Sequence, residues 1–184
     1  MSARLFIAAD LPAAVREALA DYGRSAAAAD AALRVVGPGS LHVTLAFLGH
    51  RALNEIEPLA DVVREAAARQ AAPALALSEA LWLSPRRPSV LAVRLEDPSG
   101  GLAAIQASAV AGAAEAVGFE PERRAFLPHV TVARVRRGHP PRRSALPAVP
   151  GVGDFRGEAV TLYRSHLGGR GPARYEAVER VPLG

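Results

Sequence analysis

One seven-residue pattern occurs twice in this chain, about half its length apart. Leu41-His42-Val43-Thr44-Leu45-Ala46-Phe47 and Pro128-His129-Val130-Thr131-Val132-Ala133-Arg134 share His-Val-Thr-apolar-Ala, and each copy follows a turn. A half-length repeat predicts two related lobes meeting at a pseudo-two-fold axis. Side chains alternate faces along a strand, so His42 and Thr44 point one way while Val43 and Leu45 point the other. The same holds for His129 and Thr131 against Val130 and Val132. The apolar face is the natural core face, which leaves an imidazole beside a hydroxyl on the opposite face of each strand. If the lobes face each other, two histidines and two threonines line one cleft.

That constellation suits phosphoester chemistry. In-line displacement at phosphorus needs a base beside the attacking oxygen and an acid beside the leaving oxygen. Two imidazoles with ordinary pKa values near 6.5 can supply both near neutrality. The threonine hydroxyls can donate to non-bridging oxygens, where charge collects in the transition state. Two histidines without a cysteine, a His-x-His or a nearby acidic cluster fall short of a zinc site. His42 and His129 are therefore expected to be catalytic, with no metal and no cofactor.

The rest of the sequence frames the motifs. Strands are expected at Leu5 to Ala8, Leu33 to Val36, Leu41 to Leu48, Leu75 to Leu83, Val90 to Leu95, His129 to Val135, Val160 to Ser165 and Tyr175 to Val181. One helix enters through Asp10-Leu11-Pro12, carries Val15, Leu19 and Tyr22, and loosens at Gly23. A second starts near Pro58, and a third carries Leu102, Ile105, Ala109, Ala113 and Val117 before Gly118. The turns Ser84-Pro85-Arg86-Arg87-Pro88 and Gly168-Gly169-Arg170-Gly171-Pro172 join strand pairs, and a basic, proline-rich loop runs from Arg136 to Gly153. The order predicts an α+β fold, bilobal, with two pseudo-two-fold related lobes of antiparallel sheet flanked by helices and an active-site cleft between them. No long polar linker interrupts the 184 residues, so residues 1–184 read as one domain.

Composition removes several chemistries. There is no cysteine, and all 22 Lys+Arg positions are arginine. No thiol nucleophile, P-loop lysine or lysine adenylate is available. The formal charge of +4 and a pI near 10.5 favour an anionic partner, which arginine meets with planar, bidentate donors. The first apolar run is too short for a signal peptide, and no stretch is long enough to span a membrane. A soluble, cytoplasmic monomer is expected.

At these residues the chain resembles the two-histidine phosphoesterases, marked by two His-x-Thr-x motifs. Within them it resembles the RNA 2′,3′-cyclic phosphodiesterases, also called 2′-5′ RNA ligases. The resemblance covers Arg4-Leu5-Phe6-Ile7-Ala8, the runs Leu41 to Gly49 and Phe126 to Arg134, and a closing segment with Ser165-His166-Leu167, Gly171 and Tyr175. It implies metal-free hydrolysis of a 2′,3′-cyclic phosphate to a 2′-phosphate, with His42 as general acid and His129 as general base. It also implies 2′-5′ joining of RNA ends without ATP, by the transesterification run backwards. Substrate contacts are expected from Thr44, Thr131, Arg34, Phe126 and Arg134. The family often has a basic residue before the proline of the second motif. Leu127 stands there, which leaves Arg123, Arg124 and Arg134 as alternatives for that contact. Val35 follows Arg34, where the family commonly has a bulky aromatic.

Other residues carry weaker signals. His50 and His139 are expected in loops, and His166 lies in the family-like closing segment. Arg136-Arg137 and Arg142-Arg143 either guide an RNA backbone or form a solvated loop. Phe47 and Phe126 either stack on a base or pack in the core, and Tyr163 and Tyr175 are expected to pack. The partners are RNA ends or cyclic-phosphate nucleotides. Two other functions remain open: a phosphodiesterase for small cyclic nucleotides or ADP-ribose cyclic phosphate, and a non-catalytic RNA-binding module. Aromatic residues make up only 5% of the chain, a poor supply for the stacking platform of such a module.

Overall fold

The structure is a computed structural model and describes residues 1–84, 86–142, 146–166 and 174–184. Pro85, Arg143, Leu167 and the turn from Gly168 to Pro172 lie outside the described residues. The elements run β1 (Ser2–Asp10), α1 (Ala13–Ala29), β2 (Leu33–Val35), β3 (Val43–Ala52), α2 (Ile56–Ala68), β4 (Ala74–Leu83), β5 (Val90–Glu96), α3 (Gly101–Val117), β6 (His129–Val135), β7 (Phe155–Arg156), β8 (Ala159–His166) and β9 (Arg174–Pro182). No helix among the described residues is long and apolar enough to cross a membrane.

The strands form one antiparallel sheet in the order β7-β4-β5-β6-β3-β1-β8-β9, with β2 paired to β6. The two repeat strands, β3 and β6, are neighbours at its centre and pair at Val43 and Val130. This seam joins two half-sheets that use related connections. In one half α1 leaves β1 and packs on β2 and β6, across the seam; in the other α3 leaves β5 and packs on β3. The lobes expected from the repeat are therefore halves of one sheet.

Burial follows the alternation. Val43, Val130 and Val132 are completely buried and Leu45 nearly so, in a core shared with Leu19 of α1, Leu59 of α2 and Ile105 of α3. Each such side chain contributes about 1.5–3 kcal/mol on leaving water, which holds the helices on this face. The opposite face at the seam is left for polar groups.

Three local readings change. Gly23 does not loosen α1, which continues to Ala29. A Cβ there would sit 2.8 Å from the Val132 carbonyl oxygen, so glycine lets the helix lie directly on β6. Gly49 does not end β3, although its φ is +73°; the strand runs on to Ala52 and carries His50, which is therefore not in a loop. The short β7 had no signal in the sequence. It forms by pairing Ala74 and Leu75 of β4 with Arg156 and Phe155, a contact between distant segments.

Candidate active site

The seam dictates the site. With Val43 opposite Val130 in an antiparallel pair, the next residues place His42 across from Thr131 and Thr44 across from His129. All four side chains share one face and line a cavity of about 600 Å³. Each histidine thus faces the threonine of the other motif. The imidazoles are diagonal neighbours, a relation that spaces Cβ atoms by roughly 7–8 Å. A tetrahedral group can lie between them with a ring on either side.

The two motifs also bend alike. On β3 the partners of Ile7 and Ala8 are Ala46 and Thr44, so Leu45 is an extra residue bulged out of register with β1. On β6 the partners of Leu91 and Ala92 are Ala133 and Thr131, so Val132 is the equivalent extra residue against β5. A bulge shifts the alternation by one. It turns Phe47 and Arg134, each five residues beyond its histidine, onto the cavity face. The pseudo-symmetric site therefore ends differently on its two sides. Phe47, 60% exposed, stands with Phe6 and Tyr175 at one end, and Arg134 stands with Arg34 at the other.

A family model described as the 2′-5′ RNA ligase superfamily matches residues 14–169. The chain belongs to the 2′-5′ RNA ligase superfamily. This superfamily member is 30% identical over 179 residues to the RNA 2′,3′-cyclic phosphodiesterase of Methanothermobacter thermautotrophicus, with 94% of this chain and 95% of that one covered. It is 27% identical over 180 residues to the Geobacillus stearothermophilus protein of the same name, covering 97% of this chain but spanning only 56% of that one. Among solved structures it is similar to Escherichia coli LigT complexed with 3′-AMP, with a TM-score of 0.80, 29% identity and coverage of 100% of this chain and 99% of that one. TT0787 of Thermus thermophilus matches with a TM-score of 0.77, 29% identity and coverage of 98% and 97%. The α+β architecture expected of the superfamily is the one observed.

The electrostatics of this superfamily member's cavity distinguish the two imidazoles. His42 stacks on Phe6 at 4.9 Å between ring centroids, with Tyr163 at 6.0 Å and the edge-on Tyr175 ring at 5.4 Å. That burial disfavours the imidazolium and lowers the His42 pKa to about 4. The Asp10 carboxylate and the Ser40 carbonyl oppose the shift, while the fields of Arg134 and His129 add to it. His42 is neutral near pH 7, so the sequence-based picture of two imidazoles near 6.5 does not hold for it. Asp10 is itself fixed, accepting from Thr161 Oγ1 at 2.9 Å, Tyr163 OH at 2.8 Å and Arg180 Nε at 3.0 Å. Burial first, and then the Asp10 charge, push the Tyr163 phenol up to about 12, so it remains a donor. On β6, His129 Nδ1 lies 2.7 Å from the Leu127 carbonyl oxygen. That contact makes Nδ1 the donor and leaves Nε2 as the free nitrogen.

The other candidates divide cleanly. Arg34 and Arg134 line the cavity with the four motif residues; Phe126 does not. Its ring packs against the core just before Leu127, which is 37% exposed instead. Of Phe47 and Phe126, the one that reaches the cavity is Phe47, because the Leu45 bulge exposes it. Arg123 and Arg124 are exposed outside the cavity lining, which leaves Arg134 among the three alternatives weighed for Leu127. Tyr163 packs as expected, whereas Tyr175 reaches the cavity wall. His50, His139 and His166 are exposed and away from the lining; His166 Nε2 meets Glu176 Oε2 at 2.7 Å. Arg136, Arg137 and Arg142 are exposed beyond β6, where the Arg142 amide donates to Asp30. Sequence reasoning missed Asp10, the lining residue Glu122 and the cavity position of Tyr175, and it left Phe47 open between a stacking and a core role. Only the bulge and cross-strand pairings bring in Asp10, Phe47 and Tyr175. Among the described residues, no three His, Asp or Glu side chains stand together to share a cation.

Proposed function

We propose that this chain hydrolyses 2′,3′-cyclic phosphate ends of RNA to 2′-phosphates, with His42 and His129 as the proton-transfer pair and no metal. The observation that carries the reading is the seam register, which gathers two His-x-Thr pairs onto one face of one cavity. The names of the relatives, RNA 2′,3′-cyclic phosphodiesterase, and the 3′-AMP complex of LigT support the substrate class.

The cyclic phosphate lies between the imidazoles, and Thr44 and Thr131 donate to its non-bridging oxygens. His129, with Nε2 free, removes a proton from water as the oxygen attacks phosphorus. The bond from phosphorus to the 3′ oxygen breaks, and His42 gives that oxygen a proton. A 5′-hydroxyl attacking in place of water yields a 2′-5′ linkage, and neither route consumes ATP. Because His42 binds its proton weakly, the negative charge of the bound substrate must raise that affinity so that the imidazole takes up a proton from solvent. The same low affinity favours a second reading in which His42 is the base and His129 the acid.

Turnover of adenosine 2′,3′-cyclic phosphate by His42→Ala and His129→Ala tests the pair. Each change should cost about 10²–10⁴ in rate, with Thr44→Ala and Thr131→Ala costing less and phosphorus NMR identifying the 2′-phosphate as product. Wild-type turnover in either histidine variant refutes the mechanism. A diester with a p-nitrophenolate leaving group needs no acid, so it rescues only the variant that lacks the acid. Rescue of His42→Ala supports the first assignment, and rescue of His129→Ala the second.

A further inference from the structure

The arginine end of the cavity has an arrangement that the reaction at the seam does not explain. Arg34 on β2 and Arg134 on β6 are direct cross-strand partners, and both line the cavity. Like charges directly opposite on one face of a sheet repel. Among the described residues neither guanidinium has a carboxylate or hydrogen-bond partner, unlike Arg64, Arg94 and Arg180, which pair with acidic groups. Both side chains are exposed on the cavity wall, and a phosphate lying against the two forks matches them in shape and charge.

We infer that Arg34 and Arg134 form a second phosphate subsite, which takes the phosphate on the 5′ side of the nucleotide whose cyclic phosphate is opened. The inference rests on the function proposed above. Arg134 lies one bulge and one pleat beyond Thr131, roughly 7 Å along the strand, about one nucleotide from the reacting phosphorus. The polarity follows from the other end of the cavity. Phe47 and Tyr175 offer ring surface there, so the terminal base has a stacking partner on that side. A nucleotide anchored by its base and its cyclic phosphate then extends its 5′ oxygen toward the arginines. Arg134 also lies close enough to His42 to lower its proton affinity. A phosphate on the arginines counters that field and favours the protonated imidazole. The substrate favoured by this geometry is a chain end, or a nucleotide carrying a 5′-phosphate, rather than a nucleoside cyclic phosphate.

The test compares kcat/KM for 5′-phosphoadenosine 2′,3′-cyclic phosphate with kcat/KM for adenosine 2′,3′-cyclic phosphate, in wild type, Arg34→Gln and Arg34→Lys. Wild type should prefer the 5′-phosphorylated compound about 10- to 100-fold, the range expected of charge-assisted phosphate contacts. Arg34→Gln should shrink that ratio about tenfold or more, and Arg34→Lys should restore part of it. Thermal melting reports folding, and removal of one like charge should not lower the midpoint. A ratio unchanged by Arg34→Gln overturns the subsite, including the case where both substrates lose equally because the arginine serves the reacting phosphate. Binding of adenosine 2′,5′-bisphosphate against adenosine 2′-phosphate, measured by calorimetry, reads the same discrimination without turnover. Discrimination that depends on Arg34 in a protein that opens no cyclic phosphate leaves the subsite and refutes the proposed reaction. Turnover without discrimination does the reverse.

Discussion

Replacing His42 by glutamine isolates the energetic consequence of packing an imidazole between aromatic rings. Burial lowers its pKa from 6.5 to about 4. At about 1.4 kcal/mol per unit, that difference corresponds to roughly 3 kcal/mol of pH-dependent stability. The folded-state value is the depressed one, so as pH falls the unfolded chain takes up the proton first. The contribution is intact above pH 6.5, declines through the interval below it, and is gone near pH 4. Glutamine keeps a planar polar group but does not titrate. The difference in unfolding free energy between wild type and His42→Gln should therefore move by about 3 kcal/mol in the variant's favour between pH 7 and pH 4, while groups common to both proteins largely cancel. With urea m-values of about 1–3 kcal/mol/M, the relative midpoint moves by about 1–3 M. Urea titrations at stepped pH measure it directly. Millimolar phosphate should flatten the wild-type dependence, because an anion in the cavity favours the charged imidazole and binds only the folded state. Parallel stability curves for the two proteins would refute the buried-imidazole account and, with it, the claim that the substrate's charge drives protonation of His42.

Other outcomes follow from the same geometry. Phe47→Ala should raise KM for cyclic nucleotides about 5- to 100-fold, the range for loss of one base–aromatic stack, with little change in melting temperature because the ring is already exposed. Gly23→Ala should destabilise the fold by about 1–3 kcal/mol, since its Cβ meets the Val132 carbonyl at 2.8 Å, and activity should fall with it because Val132 is the bulge that aims Arg134. EDTA should leave hydrolysis intact, and loss of activity restored by zinc or manganese would refute a metal-free pair. Rising salt should weaken an oligonucleotide substrate more than a cyclic mononucleotide, as more arginine–phosphate contacts release more counterions; equal salt sensitivity would point to the small cyclic nucleotide.

What the sequence determined by itself is local and periodic. Strict alternation in His42-Val43-Thr44 and His129-Val130-Thr131 assigned valine to the core and histidine and threonine to the open face, because a strand has no other way to divide its side chains. Arginine in place of lysine, the absence of cysteine and the half-chain repeat narrowed the chemistry before any fold was known. Beyond Thr44 and Thr131 the alternation misleads. It assigns Phe47 and Arg134 to the core face, and both reach the cavity. A bulge exists only relative to a partner strand, and those partners, β1 and β5, lie far away in the sequence. The same holds for Asp10, which is bound by Thr161, Tyr163 and Arg180 from the other end of the chain. The proton affinity of His42 is likewise a tertiary property. The ring's own chemistry puts it near 6.5, and only the aromatic walls brought by β1, β8 and β9 strip away enough water to pull it down. The sequence alone could name the two acid–base candidates, whereas their inequality comes from packing.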